Sequence, residues 1–254
     1  MNDTTIKLIK YLVLSGAGSR RECQRFLVED RVTVNGKANH QPSFSVDPEK
    51  DNISLDGKAL HVDKTEFAYV KLHKPKGTIC SHEDEHGRKT IYSLLRHKNL
   101  SKAGLFSAGR LDFNTTGLLI LTNDGQFAQL LTHPRYDVKK EYIVQIKRTL
   151  DKDLIRRMLK GVKMDEETLK FDKLHVLSES SSGAVIKVVL NEGKNREIRK
   201  MMQFFKVTIR SIHRIKMGPF SLDKLKEGQY ELIRKSEVDA FKRAFNRRDG
   251  TSIA

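Results

Sequence analysis

Cysteine is scarce in this chain, and no apolar run approaches the length of a membrane span. Cys23 and Cys80 are the only two cysteines, and neither has another close by in sequence. That excludes a disulfide framework and a four-cysteine zinc site, so a reducing, cytoplasmic setting is expected. The apolar stretches fall well short of the ~20 residues of a spanning helix, so no membrane is expected among the partners. The opening Met1-Asn2-Asp3-Thr4 lacks the basic-then-apolar pattern of a secretory signal. Internal repeats and low-complexity tracts are absent as well. Acid is under-represented: 32 Asp and Glu stand against 48 Lys and Arg, a formal net charge of +16. Such an excess points to a polyanion, with nucleic acid favoured over a merely soluble basic surface. The excess is uneven, because residues 1–64 hold 10 basic and 9 acidic residues, a net +1 that leaves +15 for residues 65–254.

What is present suffices for a core, since 38% of the 254 residues are hydrophobic. The length accommodates a small domain joined to a larger one. Residues 5–14 are read as a helix, stopped by Ser15-Gly16-Ala17-Gly18. Ser19-Arg20-Arg21-Glu22 is a capping box. The helix it opens presents Arg20, Arg21 and Arg25 and is expected to bury Cys23, Phe26, Leu27 and Val28. A β-branched strand at 31–34 runs into Asn35-Gly36, a strong hairpin signal, and Asp56-Gly57 marks a second turn. Residues 61–66 make a polar linker, which divides the chain into residues 1–62 and 63–254.

The larger part opens on an apolar strand that ends at Lys74-Pro75-Lys76-Gly77. His82, Glu83, Asp84 and His86 fall in one charged stretch, which is read as a solvated loop and not as a metal site. Further on, Leu118 to Leu121 is a short apolar run between turn signals, a buried strand by its length. Just before it Arg110, Asp112 and Asn114-Thr115-Thr116 crowd into a polar loop. A rigid strand presenting a polar loop is a common way to hold reactive groups. Taken alone, Asp112 is the kind of aspartate that more often serves a turn or a cap. A helix from Gln126 to Thr132, a strand from Tyr142, a helix from Leu150 to Gly161 capped near Asp151, and a strand over 184–190 follow. Tyr142 on its own reads as core packing. The 191–202 stretch then places a glycine turn before a helix loaded with cations, a good place for an anion. A last strand spans 207–216, and a polar helix from Glu237 with a basic tail is expected on the surface.

Three strings carry a resemblance. Gly109-Arg110-Leu111-Asp112-Phe113-Asn114-Thr115-Thr116-Gly117-Leu118-Leu119-Ile120-Leu121-Thr122-Asn123-Asp124-Gly125 closely resembles the central signature of the RsuA/RluB/RluE/RluF family of ribosomal-RNA pseudouridine synthases. Lys140-Glu141-Tyr142 is similar to that family's K-x-Y element. Glu192-Gly193-Lys194-Asn195-Arg196-Glu197-Ile198-Arg199-Lys200-Met201 resembles its third motif, with Glu197 in place of the commoner glutamine. The Lys74-Pro75 start and Met217-Gly218-Pro219-Phe220 match as well. Residues 1–62 resemble the S4 RNA-binding module, with Lys7 where an arginine is usual.

The resemblance implies an α+β architecture: a small S4-like N-terminal domain and a catalytic domain with a mixed, mainly antiparallel sheet. It makes Asp112 the catalytic carboxylate and sets Tyr142 against the target base. Lys194, Arg196 and Arg199 become candidates to pair with Asp112 or with substrate phosphate, and the sequence leaves open which one touches the carboxylate. Arg20, Arg21 and Arg25 would lie on RNA phosphates, Arg88 near the RNA, and Arg110 in the gap left by an extracted base. The implied substrate is a uridine in ribosomal RNA, with the context of residues 132–134 and 140–142 nearer the large-subunit RluB branch. An isomerisation needs no cofactor and no metal, and a monomer is expected. The alternative is an S4-type RNA-binding or ribosome-assembly factor that keeps the fold without the activity. A two-carboxylate glycosyl enzyme is disfavoured, because no second acid accompanies Asp112.

Overall fold

The computed structural model describes residues 5–62, 66–82, 84–97, 100, 104–164 and 166–246. Linker residues 63–65, Glu83 of the charged loop, and Arg247 and Arg248 of the basic tail lie outside them. The chain divides into two compact units, Met1–Glu66 and Phe67–Ala254.

In the first unit, strand β1 (Ile6–Lys7) leads into helix α1 (Leu8–Leu14), and helix α2 spans Arg20–Val28. Residues 5–14 are therefore not all helical. Ile6 and Lys7 pair with β4 (Ser45–Val46), and the Leu8 N–H donates to the Phe44 carbonyl, which holds the entry extended. The capping box is complete: the Ser19 hydroxyl accepts from the Glu22 N–H while the Glu22 carboxylate accepts from the Ser19 N–H. Cys23 and Leu27, four residues apart on one face, are buried. Val28, expected inside, lies a further ~100° round the helix and is 73% exposed. Phe26 is half-buried, with the Arg31 guanidinium over its ring at 4.5 Å. Strands β2 (Val32–Val34), β3 (Lys37–Ala38), β5 (Ile53–Leu55) and β6 (Lys58–Leu60) form an antiparallel sheet in the order β3-β2-β5-β6. Both hairpins turn on left-handed pairs, Asn35-Gly36 and Asp56-Gly57, as their sequences require.

The second unit is built on a nine-stranded mixed sheet. Its strands are β7 (Tyr69–Lys74), β8 (Phe106–Ala108), β9 (Thr115–Thr122), β10 (Lys140–Ile146), β13 (Lys173–Ser180), β14 (Gly183–Leu190), β15 (Ile209–Met217), β16 (Phe220–Ser221) and β17 (Tyr230–Leu232). The short hairpin β11 (Val162–Met164) and β12 (Glu167–Leu169) stands apart from it. The order is β13-β14-β10-β15-β9-β7-β17, with β8 added along β9 and β16 along β15. All of these pairs are antiparallel except β9 with β15.

Helices α3 (Gly125–Thr132), α4 (Lys152–Lys160), α5 (Glu197–Phe204) and α6 (Lys235–Asn246) complete the unit. Side chains of α4 and α5 share one core cluster with Leu119, Leu121 and Tyr142, and those of α3 and α6 share another with Leu118 and Ile120. Strand β9 is thus covered on both faces, which is why its apolar run is continuous and does not alternate. The C-terminal helix is not wholly superficial: Val238 and Phe241, three residues apart, are buried in the second cluster. From the same helix Lys242 pairs with Asp124, whose carboxylate caps α3 and accepts from the Tyr69 hydroxyl at 2.8 Å.

Candidate active site

Between β8 and β9 the chain makes a polar loop, residues 109–114, that projects from the sheet beside the start of α5. A cleft of about 660 Å³ opens there. Arg110, Asp112 and Phe113 line one wall, and Gly193, Lys194, Asn195 and Arg196 line another. Asp84, His86 and Arg88 contribute a further part of the lining.

Asp112 meets two guanidinium groups. Arg199 Nε donates to Asp112 Oδ2 at 3.0 Å, and Arg196 Nη1 lies 3.7 Å from the same oxygen. Arg199 also donates through Nη2 to Thr115 Oγ1 at 3.1 Å, and the Thr115 N–H donates to the Asp112 carbonyl at 3.0 Å. One planar cation therefore fixes both the carboxylate and the first residue of β9, a geometry that a lysine does not match. The Asp112 side chain is 36% exposed and Arg199 21%. The carboxylate faces the cleft, and its ion pair is partly open to solvent, unlike a fully buried one.

Lys194 is turned elsewhere. Its Nζ donates to the Thr168 carbonyl at 3.0 Å and lies 3.5 Å from Glu192 Oε2. Of the three candidate cations, Arg199 makes the closest contact with Asp112, Arg196 is second, and Lys194 stands on the cleft wall. Glu197 is buried, and its carboxylate accepts from the Lys194 N–H at 2.9 Å. Burial pushes its pKa up, while hydrogen bonds from the turn oppose that rise. The carbonyl oxygen of a glutamine can accept the same bond, which accounts for the exchange of Glu for Gln at this position.

Two further groups brace the loop from beneath. Lys74 is fully buried, and its Nζ donates to the carbonyls of Thr115 at 3.0 Å and Pro75 at 3.1 Å, with that of Phe113 at 3.5 Å. Burial holds its ammonium below the ordinary lysine pKa, opposed by the charges of Cys80, Asp112 and Glu227. Cys80 Sγ contacts both the carbonyl and the N–H of Leu111, at 3.4 and 3.5 Å. The sequence reading missed Lys74 as a brace. Its signal was parity: Val70, Leu72 and Lys74 share the inward face of β7.

Tyr142 is 8% exposed and belongs to the core cluster that also contains Leu111. Arg110 is exposed on the cleft wall. Arg88 is engaged by Asp84, with Nη2 to Oδ1 at 2.6 Å, and that contact lowers the Asp84 pKa to about 2. In the first unit Arg20, Arg21 and Arg25 are all exposed, with Arg25 Nε 3.7 Å from Glu29.

A mixed sheet offering an aspartate–arginine pair at an open, cation-rich cleft defines an enzyme-like site. The family model described as RNA pseudouridylate synthase matches residues 68–204, a span that holds the whole cleft. An uncharacterized RNA pseudouridine synthase of Borreliella burgdorferi is 34% identical over 241 residues, 91% of each chain. The ribosomal large subunit pseudouridine synthase B of Bacillus subtilis is 34% identical over 199 residues, 78% of this chain and 79% of its own. Among solved structures, one titled as a pseudouridylate synthase superposes with a TM-score of 0.65 at 28% identity, over 93% of this chain and 99% of that one. This chain belongs to the RNA pseudouridylate synthase family.

Proposed function

We propose that this protein isomerises uridine to pseudouridine in ribosomal RNA, that of the large subunit ahead of the small, with Asp112 as the reacting carboxylate. The observation that carries the reading is the Asp112 carboxylate held at the cleft by Arg199, which is itself anchored on Thr115. In this reaction the N1–C1′ bond breaks, the uracil turns, and C5 joins C1′. C5 gives up a proton and N1 ends with one, so no atom is gained or lost overall. The work asked of the protein is to place one carboxylate against ribose and base and to keep it there.

A uridine stacked in RNA is out of reach, so the base is flipped into the cleft. Arg110 fills the vacated position, and Tyr142, outside the cleft lining but in the core cluster that also holds Leu111 of the loop, is the ring against which the uracil stacks, worth about 1–3 kcal/mol. Arg196 and Lys194 on the opposite wall take phosphate, as does Arg88 once it exchanges Asp84 for RNA. The first unit acts as an S4-like module that presents Arg20, Arg21 and Arg25 to the backbone. A single chain supplies every group named here, which fits a monomer, and two free thiols fit the reducing cytoplasm.

Mapping pseudouridines in ribosomal RNA from cells with and without the protein tests the reading. The expected result is one large-subunit position that turns from pseudouridine to uridine when the protein is removed. An unchanged map sinks it. The two-unit organisation supports a second expectation. Deleting residues 1–62 should raise KM for a long rRNA transcript about tenfold or more, as phosphate contacts are lost, with kcat changed far less. Equal KM values for the two forms would remove the RNA-binding role of the first unit.

A further inference from the structure

Helix α5 delivers Arg199 to Asp112, yet it begins on an irregular turn. Gly193 and Arg196 both have left-handed backbones, with φ of 79° and 52°, and Arg196 as N-cap makes no side-chain cap. Such a turn has no ladder to hold it, so its shape depends on side chains that reach in from outside. Lys140, the first residue of β10, does this. It is 4% exposed, and its Nζ donates to the carbonyls of Asn191 at 2.9 Å and Glu192 at 3.0 Å. Lys139 adds a bond to Asn191 Oδ1 and pairs with Asp172 at 2.8 Å. Glu197 holds the other side through the Lys194 N–H. Lys140 and Tyr142, two apart on one strand, are both buried among the same face's residues.

We infer that Lys140 is a positioning residue: by grasping the 191–196 turn it sets Arg196 and Arg199 against Asp112 and keeps them in register with the strand that carries Tyr142. The inference rests on Asp112 being the reacting carboxylate. It also gives the site a pH dependence. Burial, then the charge of Arg214 on β15, lowers the Lys140 pKa to about 8, and Asp137, Glu197 and Glu192 pull the other way. Above that pH the ammonium loses its charge, and its two bonds fall from charge-assisted to ordinary strength. Stability moves in the opposite direction. Between the depressed folded value and the ordinary lysine value, the unfolded chain holds the proton more tightly, so this group's contribution to stability rises with pH. A side chain retained only for the fold would lower activity and stability together; this one separates them.

The test compares the full-length wild type with Lys140→Met and Lys140→Arg on an unmodified large-subunit rRNA transcript. Lys140→Met is expected to lower kcat by about tenfold to a hundredfold, the cost of a slightly misplaced catalytic group. KM should change less than about threefold and Tm should not fall. Wild-type kcat should decline with a midpoint near pH 8. That limb should be missing in Lys140→Met and displaced upward in Lys140→Arg. A kcat for Lys140→Met within about twofold of wild type overturns the inference, and so does a loss of kcat and Tm together with the limb unmoved. Amide hydrogen exchange, which needs no turnover, separates failure of this inference from failure of the catalytic reading. Protection of the Gly193–Glu197 amides, corrected for intrinsic rate, should drop in Lys140→Met, and unchanged protection refutes the clamp.

Discussion

Asp112→Asn should abolish pseudouridine formation, lowering the rate by a thousandfold or more, about 4 kcal/mol of barrier or greater. An amide is almost the same size and can still accept the Arg199 Nε–H, so the loop and its bond to Thr115 should stay in place. What disappears is the negative charge, and with it the ability to act as nucleophile or base. The side chain is 36% exposed, so the folding cost of weakening its ion pair is small, within about 1 kcal/mol. Affinity for RNA should hold or tighten slightly, since one negative charge is removed from the cleft. Single-turnover conversion of a uridine transcript, set beside an equilibrium binding titration, checks both halves. A mutant that converts uridine at the wild-type rate removes Asp112 from the chemistry. A wild type that binds RNA equally well but never converts it would favour an assembly factor that has kept only the fold.

The pair formed by Asp112 and Arg199 also explains why the cleft tolerates so much positive charge. Arg199 and Arg196 flank one carboxylate, Arg199 with a further anchor on Thr115 and Arg196 more open to solvent. Lys74 donates to the carbonyls of Pro75 and Thr115, which ties the loop to the start of β9.

Local structure was largely legible in the sequence because its signals are short-range. Ser19 with Glu22, Asn35-Gly36, Asp56-Gly57, the Asp151 cap and the 118–121 run each act within a few residues, and each appears where its chemistry requires. The misreadings share a different cause. Hydrophobicity alone places Val28 inward, whereas helix phase turns it out. Its charges alone mark the C-terminal helix as polar, although Val238 and Phe241 stand three residues apart on one face. The choice among Lys194, Arg196 and Arg199 was beyond the sequence for a geometric reason. A left-handed Arg196 breaks the periodicity between residues 194 and 199, so no helical wheel relates them. Lys74 and Lys140 look like ordinary basic residues until the sheet is assembled, because their partners lie as many as 41 and 52 residues away.

Gly117→Ala should be among the most damaging single changes in the larger unit. The residue sits where β9 runs parallel to β15, opposite Arg214, at a φ of 108°. An added Cβ would lie 2.2 Å from the Arg214 carbonyl oxygen and 2.6 Å from its nitrogen, both backbone atoms that cannot rotate aside. The two strands must separate or β9 must shift, and either move tears the Arg214 Nε bond to the Leu118 carbonyl, 2.7 Å in a buried setting. Strain at a glycine-favouring φ, the clash and the broken bond together should cost on the order of 3 kcal/mol or more. Activity should fall with stability, because Thr115, the anchor for Arg199, lies two residues before the clash. Gly228→Ala is the matched control: its φ is also positive, at 79°, but nothing lies within 4 Å of the new methyl. Only the backbone penalty applies there, about 1 kcal/mol. Urea unfolding of both variants, followed through the larger unit, measures the difference. If Gly117→Ala unfolds at the same midpoint as Gly228→Ala, the close approach of β9 and β15 is not what holds the Asp112 loop to the sheet.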